Sequence, residues 1–308
     1  MKKASLILLS LLLSVSVMIV PATGCGDDNR AEFEGATIID DLGREVSVAG
    51  EPMRIVSLAP SNTEILFALG LGDRVFGVTE TCNYPEEALN IEKVGGYSGV
   101  DIEKVVAINP DLILAEDMHK ADVIPALEEL GFTVIALVPH NLQEVMDSIT
   151  LVGSLTGTET AAAQIVDDMS QRIKAITDIT DGLAEEEKVK VLYVIWYEPI
   201  ISVGTNTGIH ELIEKSGGTN IAEFAGEGWP TLALEEIVSI NPQVIIVNDD
   251  VSLQAILSES RLSQVDAVAN GRVYGINADL TNRPTSRIVD GLELMAEMIQ
   301  PELFDSNE

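Results

Sequence analysis

The sequence contains little cysteine. Two of its 308 residues are cysteines, Cys25 and Cys82, and no Cys-x-x-Cys pair is present. A dithiol redox motif is therefore excluded. If Cys25 is modified, we expect Cys82 to be a small buried residue or a free thiol. If Cys25 is unmodified, a disulfide between the two cysteines is the alternative.

Basic residues are also scarce. The chain has 18 Lys and Arg against 50 Asp and Glu, a formal charge of −32. Without the first 24 residues, which hold two lysines and no acid, 16 basic and 50 acidic residues remain, and the charge is −34. This argues against nucleic acid as a partner, because phosphate binding needs clustered Lys and Arg. The charge suits solubility and docking onto a basic partner.

Catalytic signatures are missing as well. The sequence has no Gly-x-Ser-x-Gly elbow, no Walker loop and no His-Glu-x-x-His motif. Its three histidines, His119, His140 and His210, are far apart. We therefore expect a protein that is not an enzyme and needs no cofactor or metal. The alternative is a metal-ion binding protein in which His119, His140 and carboxylates converge.

The N-terminus has the pattern of a targeting segment. Two lysines precede an apolar run from Ala4 to Val20, which is short for a membrane span of about 20 residues. We predict a signal peptide over residues 1–24 rather than a membrane-spanning anchor, and a flexible, acidic tether over residues 25–36. The Ala-Thr-Gly-Cys sequence resembles a lipoprotein signal, which implies lipidation of Cys25; simple secretion is the alternative.

Residues 158–180 are predicted to form one long helix. The segment contains no Gly or Pro, and at 1.5 Å per residue it spans roughly 34 Å. Its apolar residues recur at three- and four-residue steps: Ala162, Ile165, Val166, Met169, Ile173, Ile176 and Ile179.

An internal repeat lies on both sides of this helix. Residues 102–110 and 234–242 are offset by 132 positions and share a Glu, a Val, an Ile and a terminal Asn-Pro, and each copy is followed by an apolar run. Each copy predicts a short helix, a turn and a buried strand. The alternative to duplication is that helix-turn-strand units look alike in any α/β protein.

The repeat predicts the domain organisation. We expect an α/β protein with two similar lobes, residues 37–155 and 183–304, joined by the single long helix within residues 156–182. A ligand cleft is expected between the lobes. The helix should restrict hinge opening, so closure on a ligand is expected to be small.

Three segments are candidates for the walls of that cleft. Pro60, Ser61 and Asn62 lie between a predicted strand and a helix, where free backbone N–H groups bind ligands in α/β folds; an ordinary turn is the alternative. Tyr97 and Trp229 lie in glycine-rich loops at equivalent positions of the repeat. We expect them on opposite walls, and a place for Trp229 in the core is the alternative.

Together these features resemble the substrate-binding proteins of ABC importers for cobalamin, ferric siderophores and haem. The resemblance extends from Arg54 to the last helix. Its most specific stretches are Arg54–Glu64, Gly77-Val78-Thr79 with Asn83-Tyr84-Pro85, and the two Asn-Pro repeats. The chain looks most like the cobalamin-binding members. The resemblance implies an extracytoplasmic monomer, tethered to the membrane by lipid, that delivers a corrinoid to a permease.

The same resemblance implies roles for individual residues. Tyr97 and a Trp-Pro pair at Trp229 match family positions that contact the ligand, as do an Asp and an Arg at Asp279 and Arg283. The family's lobe-tip carboxylates, which pair with arginines of the permease transmembrane subunits, fall on Glu103 and Glu235.

Two departures bear on the ligand. Thr81 lies at a position where cobalamin binders often carry an aromatic residue. Glu116 lies at a position where an aromatic residue would be expected. Trp196 and Tyr197 are expected to compensate from the second lobe. Only Arg283 and Lys120 supply positive charge near the predicted cleft, so a corrinoid is favoured. Haem or a ferric siderophore is the alternative cargo.

Overall fold

The computed structural model describes residues 35–248 and 250–304. The predicted signal peptide, Cys25 and all but the last two residues of the predicted tether lie outside this part of the chain. No helix within the described residues is both long and apolar enough to cross a bilayer.

The first lobe consists of a hairpin, a small sheet and four helices. Its strands are β1 (Ala36–Ile39), β2 (Glu45–Val48), β3 (Ile55–Ser57), β4 (Val75–Val78), β5 (Leu112–Ala115) and β6 (Val134–Ala136). Its helices are α1 (Pro60–Ala68), α2 (Ile102–Ile108), α3 (Val123–Glu129) and α4 (Leu142–Thr156), and the long helix α5 (Glu159–Thr180) follows. The sheet is parallel, in the order β4-β3-β5-β6, and β1 and β2 form a separate antiparallel pair.

Strands β5 and β6 are buried on both faces. Leu112 and Leu114 contribute to one apolar cluster, whereas Ile113 and Ala115 contribute to another on the opposite face. A parallel strand covered on both sides needs apolar residues at every position. This is why β5 appears in the sequence as a continuous apolar run.

The second lobe repeats this plan with additions. Its strands are β7 (Val189–Trp196), β8 (Ile201–Ser202), β9 (Gly218–Asn220), β10 (Val244–Val247) and β11 (Val273–Gly275). Its helices are α6 (Gly208–Lys215), α7 (Leu234–Ile240), α8 (Asp250–Ser258), α9 (Asp266–Ala269), α10 (Ile288–Ile299) and α11 (Pro301–Phe304). Strands β11, β10, β7 and β9 are parallel, and β8 pairs antiparallel with β7. The sequence did not predict β9, α8 or α9.

The two repeat copies have the same local structure. Helices α2 and α7 both end at an asparagine in the left-handed conformation, with φ of 50° at Asn109 and 56° at Asn241. Asparagine is one of the few residues that adopts this conformation readily. A proline and a fully buried four-residue strand follow in each copy.

Helix α5 packs against both lobes. It contacts α4 on one side and α10 and α6 on the other. Met169 and Ile176, two turns apart, are buried in an apolar cluster that extends from Leu66 in the first lobe to Leu292 in the second. The helix therefore lies within a core that both lobes share.

Candidate ligand-binding cleft

A cavity of about 780 Å³ lies between the two lobes. In the first lobe it is lined by segments that follow β3, β5 and β6, the carboxyl ends of parallel strands, where open α/β sheets place their ligands. In the second lobe it is lined by residues around the start of α6, by the Trp229 loop and by the segment before α10. Its volume lies within the range of small-molecule sites.

Six of the ten predicted ligand-binding residues line this cavity. They are Pro60, Ser61, Thr81, Tyr97, Trp229 and Arg283. The fold brings them together from both lobes, and their role in ligand binding stays a prediction.

Four predicted residues are not among those that line the cavity. The Asn62 side chain is buried and donates to the carbonyl oxygen of Ala115 at 3.0 Å, so it ties α1 to β5. The Trp196 indole donates to the carbonyl oxygen of Glu198, and the Tyr197 hydroxyl donates to Glu259. Asp279, the fourth, pairs with Arg283.

These positions correct two expectations about the cleft. Trp196 is exposed, and Tyr197 packs against the second lobe's own apolar cluster, so neither supplies the missing aromatic wall. Lys120 is exposed and is not among the lining residues either. Of the two basic residues expected near the cleft, Arg283 lines the cavity and Lys120 does not.

Tyr97 is fixed by a hydrogen-bond network around Glu116. The hydroxyl groups of Tyr97 and Ser61 donate to the two carboxylate oxygens of Glu116. The backbone N–H of Glu116 donates to Nδ1 of His119 at 3.1 Å, and Nε2 of His119 donates to the Tyr97 carbonyl oxygen at 2.9 Å. His119 is buried, and its ring meets the Tyr97 ring edge-on with 5.8 Å between centroids.

This network affects the protonation of Tyr97. Burial raises the pKa of the Tyr97 phenol above its ordinary value, and the charge and hydrogen bond of Glu116 raise it further. The phenol therefore remains a neutral donor to Glu116 at physiological pH.

Trp229 has a different environment from its counterpart Tyr97. Its side chain is 57% exposed, so the alternative that Trp229 belongs to the core is wrong. The loop that carries it has positive φ at Gly226 and Gly228, and Gly228 is tied to its neighbours by backbone hydrogen bonds with Gly204 and Thr205 at 2.7 and 3.0 Å. A fixed loop thus presents a largely open indole to the cleft.

Arg283 is neutralised by carboxylates of both lobes. Its guanidinium donates to Glu64 and to Asn83 at 2.8 Å each, and it pairs with Asp279 at 2.9 Å. Glu64, in α1, is 3% exposed and also accepts two hydrogen bonds from Arg287, at 2.8 and 2.9 Å. This cluster joins the lobes beside the cavity.

The predicted permease-docking residues lie on one exposed helix start in each lobe. Glu103 and Glu235 occupy the first turns of α2 and α7, and both are exposed. Glu235 has a basic neighbour, Arg261, at 4.0 Å. Val106 and Val238, one turn later in the two helices, are 40% and 42% exposed.

The metal-ion alternative required His119 and His140 to converge with carboxylates. Both ring nitrogens of His119 are used by hydrogen bonds to the backbone, whereas His140 is exposed at the cavity. Among residues 35–248 and 250–304, no group of three or more His, Cys, Asp or Glu is arranged to hold a metal ion.

Comparison with known proteins identifies the family to which this fold is similar. Residues 55–280 match the periplasmic binding protein family. A Bacillus subtilis relative named uncharacterized ABC transporter substrate-binding lipoprotein YvrC is 36% identical over 318 residues, which cover 99% of both chains.

Two solved structures share the fold. The periplasmic vitamin B12-binding protein BtuF of Vibrio cholerae has a TM-score of 0.72 and 28% identity, over 81% of this chain and 97% of that one. A periplasmic haem-binding protein from Pseudomonas aeruginosa has a TM-score of 0.73 and 23% identity, over 82% and 94%. The predicted fold class is confirmed.

Proposed function

The chain belongs to the periplasmic binding protein family, and from that membership we propose that it captures a corrinoid in the cleft and delivers it to an ABC importer. The family and its relatives are solute-binding proteins rather than enzymes, in agreement with the expectation from the sequence. The protein therefore binds and releases its ligand unchanged.

The observation that carries the corrinoid proposal is the position of two aromatic side chains. Tyr97 and Trp229 come from equivalent loops of the two lobes, and both line the same cavity. A corrin is a broad, partly apolar ring with amide arms, and aromatic walls bind such a ring by contact with its faces. The carboxylate and carbonyl groups around the cavity can accept hydrogen bonds from the amides.

Haem or a ferric siderophore is the second candidate. A periplasmic haem-binding protein shares the fold, which supports this alternative. Haem carries two carboxylates, and many ferric siderophores are anionic, so both call for cations in the site. Arg283 already pairs with Glu64 and Asp279, which favours the corrinoid.

Delivery is proposed to use the lobe tips. Glu103 and Glu235 would pair with arginines of the permease transmembrane subunits, one from each lobe. Lipid on Cys25, the first residue after the cleaved signal peptide, would hold the protein on the outer face of the membrane. The protein is proposed to act as a monomer. The substrate-binding lipoprotein relative supports this arrangement.

Isothermal titration of the purified protein tests the ligand. We expect one-to-one binding of cyanocobalamin, no binding of haem or of a ferric siderophore, and loss of affinity in Tyr97→Ala and Trp229→Ala. Trp196→Ala is the matched control, because that aromatic residue lies outside the cavity lining. Binding of an iron chelate without binding of cyanocobalamin would contradict the corrinoid proposal.

A further inference from the structure

Glu116 is held in a fixed position at the cleft. It directly follows β5, lines the cavity and is partly buried. Its two oxygens accept from hydroxyl groups on different segments, Ser61 at the start of α1 and Tyr97 in the glycine loop. An ionised carboxylate is an acceptor only, and both of its oxygens here accept from hydroxyl groups. The site therefore carries a localised negative charge.

Within the described ranges, no Lys or Arg forms a salt bridge with Glu116, so no basic side chain there balances this charge. The cavity's arginine, Arg283, is paired with Glu64 and Asp279. His119, the histidine of the network, uses both ring nitrogens in hydrogen bonds to the backbone.

The other charged groups of the cavity reinforce the effect. Asp117 and Glu227 line it from the first and the second lobe, and both are exposed. A ligand that displaces water from the cleft lowers the local dielectric, so the interaction of its own charges with Glu116 becomes stronger. Charge on the ligand should then affect affinity even where its shape does not change.

We propose that Glu116 determines the charge selectivity of the cleft: it favours corrinoids that are neutral or cationic and opposes ligands that carry carboxylates. The inference rests on the proposed function and narrows its ligand class. The Glu116 carboxylate would repel a propionate group of the ligand and accept a hydrogen bond from a propionamide N–H. An arginine in a site for anionic rings has the opposite preference.

The test is a series of ligands that share one ring. Cyanoaquacobinamide is cationic, cyanocobalamin is neutral overall, and cyanocobalamin with one propionamide hydrolysed carries an added carboxylate. We expect the affinity of the wild-type protein, measured by isothermal titration, to fall from the first to the third. The hydrolysed form should bind on the order of tenfold more weakly than cyanocobalamin, as for like charges in a half-buried site.

Variants separate the charge of Glu116 from its hydrogen bonds. Glu116→Gln should lower the ratio of affinities for cyanocobalamin and its carboxylate several-fold, and the charges of Asp117 and Glu227 account for what remains. Tyr97→Phe removes one hydrogen bond but keeps the carboxylate, so the ratio should persist even if both affinities fall. Glu129→Gln removes a charge from the exposed end of α3 and should leave the ratio unchanged.

The outcomes distinguish the two proposals. Corrinoid binding that does not depend on ligand charge overturns the role of Glu116 and leaves the corrinoid function standing. Equal effects of Tyr97→Phe and Glu116→Gln on the ratio also overturn it, because Glu116 would then act only by positioning Tyr97. Binding of haem by a wild-type protein that binds no corrinoid overturns both.

Discussion

Glu64 in the first lobe and Arg283 in the second, 219 residues later in the chain, are joined by a hydrogen bond of 2.8 Å. Thr285 donates to the same carboxylate at 3.2 Å, and Arg287 stacks on the Tyr84 ring of the first lobe at 3.7 Å. The lobes are therefore linked beside the cleft by a buried carboxylate with two cations. Wide opening would separate these charges, so we expect closure on a ligand to be small.

Removal of this carboxylate should destabilise the protein. Glu64→Ala leaves Arg283 and Arg287 without their shared partner, and breaking a buried ion pair from one side costs about 3–5 kcal/mol. The arginines keep some solvent contact, so we expect a loss near the lower end of that range in the free energy of unfolding, measured with urea.

Glu185→Ala is the control for the Glu64 experiment. Glu185 pairs with Lys188 at the surface, and such pairs contribute about 0–1 kcal/mol. An equal decrease in the free energy of unfolding in the two variants would show that the Glu64 cluster stabilises the protein no more than a surface ion pair does.

The two tryptophans provide a matched pair for locating the ligand. Trp196 and Trp229 are both 57% exposed, but only Trp229 lines the cavity. Hydroxyl-radical footprinting with and without cyanocobalamin should show oxidation of Trp229 slowed several-fold, since the ligand would cover the indole, and oxidation of Trp196 unchanged. Protection of Trp196 alone would contradict the predicted position of the site.

Tyr97 should titrate at an unusually high pH. A free phenol has a pKa of about 10, and burial with the neighbouring Glu116 raises it in the fold. Because the folded pKa lies above the unfolded one, the contribution of Tyr97 to stability is complete below about pH 10 and is lost as the pH rises further.

Absorbance at 295 nm measures this titration. Wild-type protein and Tyr97→Phe should give equal phenolate signals near pH 10 and differ only at higher pH. In Glu116→Gln the pKa of Tyr97 should fall, because the charge of Glu116 no longer raises it. A Tyr97 that ionises near pH 10 in the folded protein would contradict the network.

Docking is predicted to depend on the lobe tips. The double change Glu103→Ala and Glu235→Ala should lower corrinoid uptake at least about tenfold by removing both predicted contacts with permease arginines, with ligand affinity unchanged. Glu129→Ala with Glu297→Ala is the control for loss of two surface charges. Normal uptake by the tip variant would refute the docking role.

The repeat and the long helix could be predicted because their signals are local. The Asn-Pro copies, the period of α5 and the apolar run of β5 each lie within one stretch of sequence. The pair of Tyr97 and Trp229 followed from the 132-residue offset. In physical terms, these features depend on backbone preferences and on burial periodicity, which neighbouring residues determine.

The rest of the site depends on contacts between distant segments. Glu64 gave no sign that it would meet Arg283 and Arg287, because a buried ion cluster has no spacing rule in sequence. Glu116 was noted as a departure from an aromatic pattern, but its partners Ser61 and Tyr97 come from other elements. Residue type alone places Trp196 in the cleft, whereas in the fold its exposed indole donates to the carbonyl oxygen of Glu198 and does not line the cavity.

The continuous apolar cluster along α5 has a consequence for folding cooperativity. Although the halves of the chain repeat one plan, Met169 and Ile176 complete a core to which both contribute. Neither half can bury that surface alone, so the lobes should unfold in a single calorimetric transition. The two repeated halves are thus expected to behave as one thermodynamic domain.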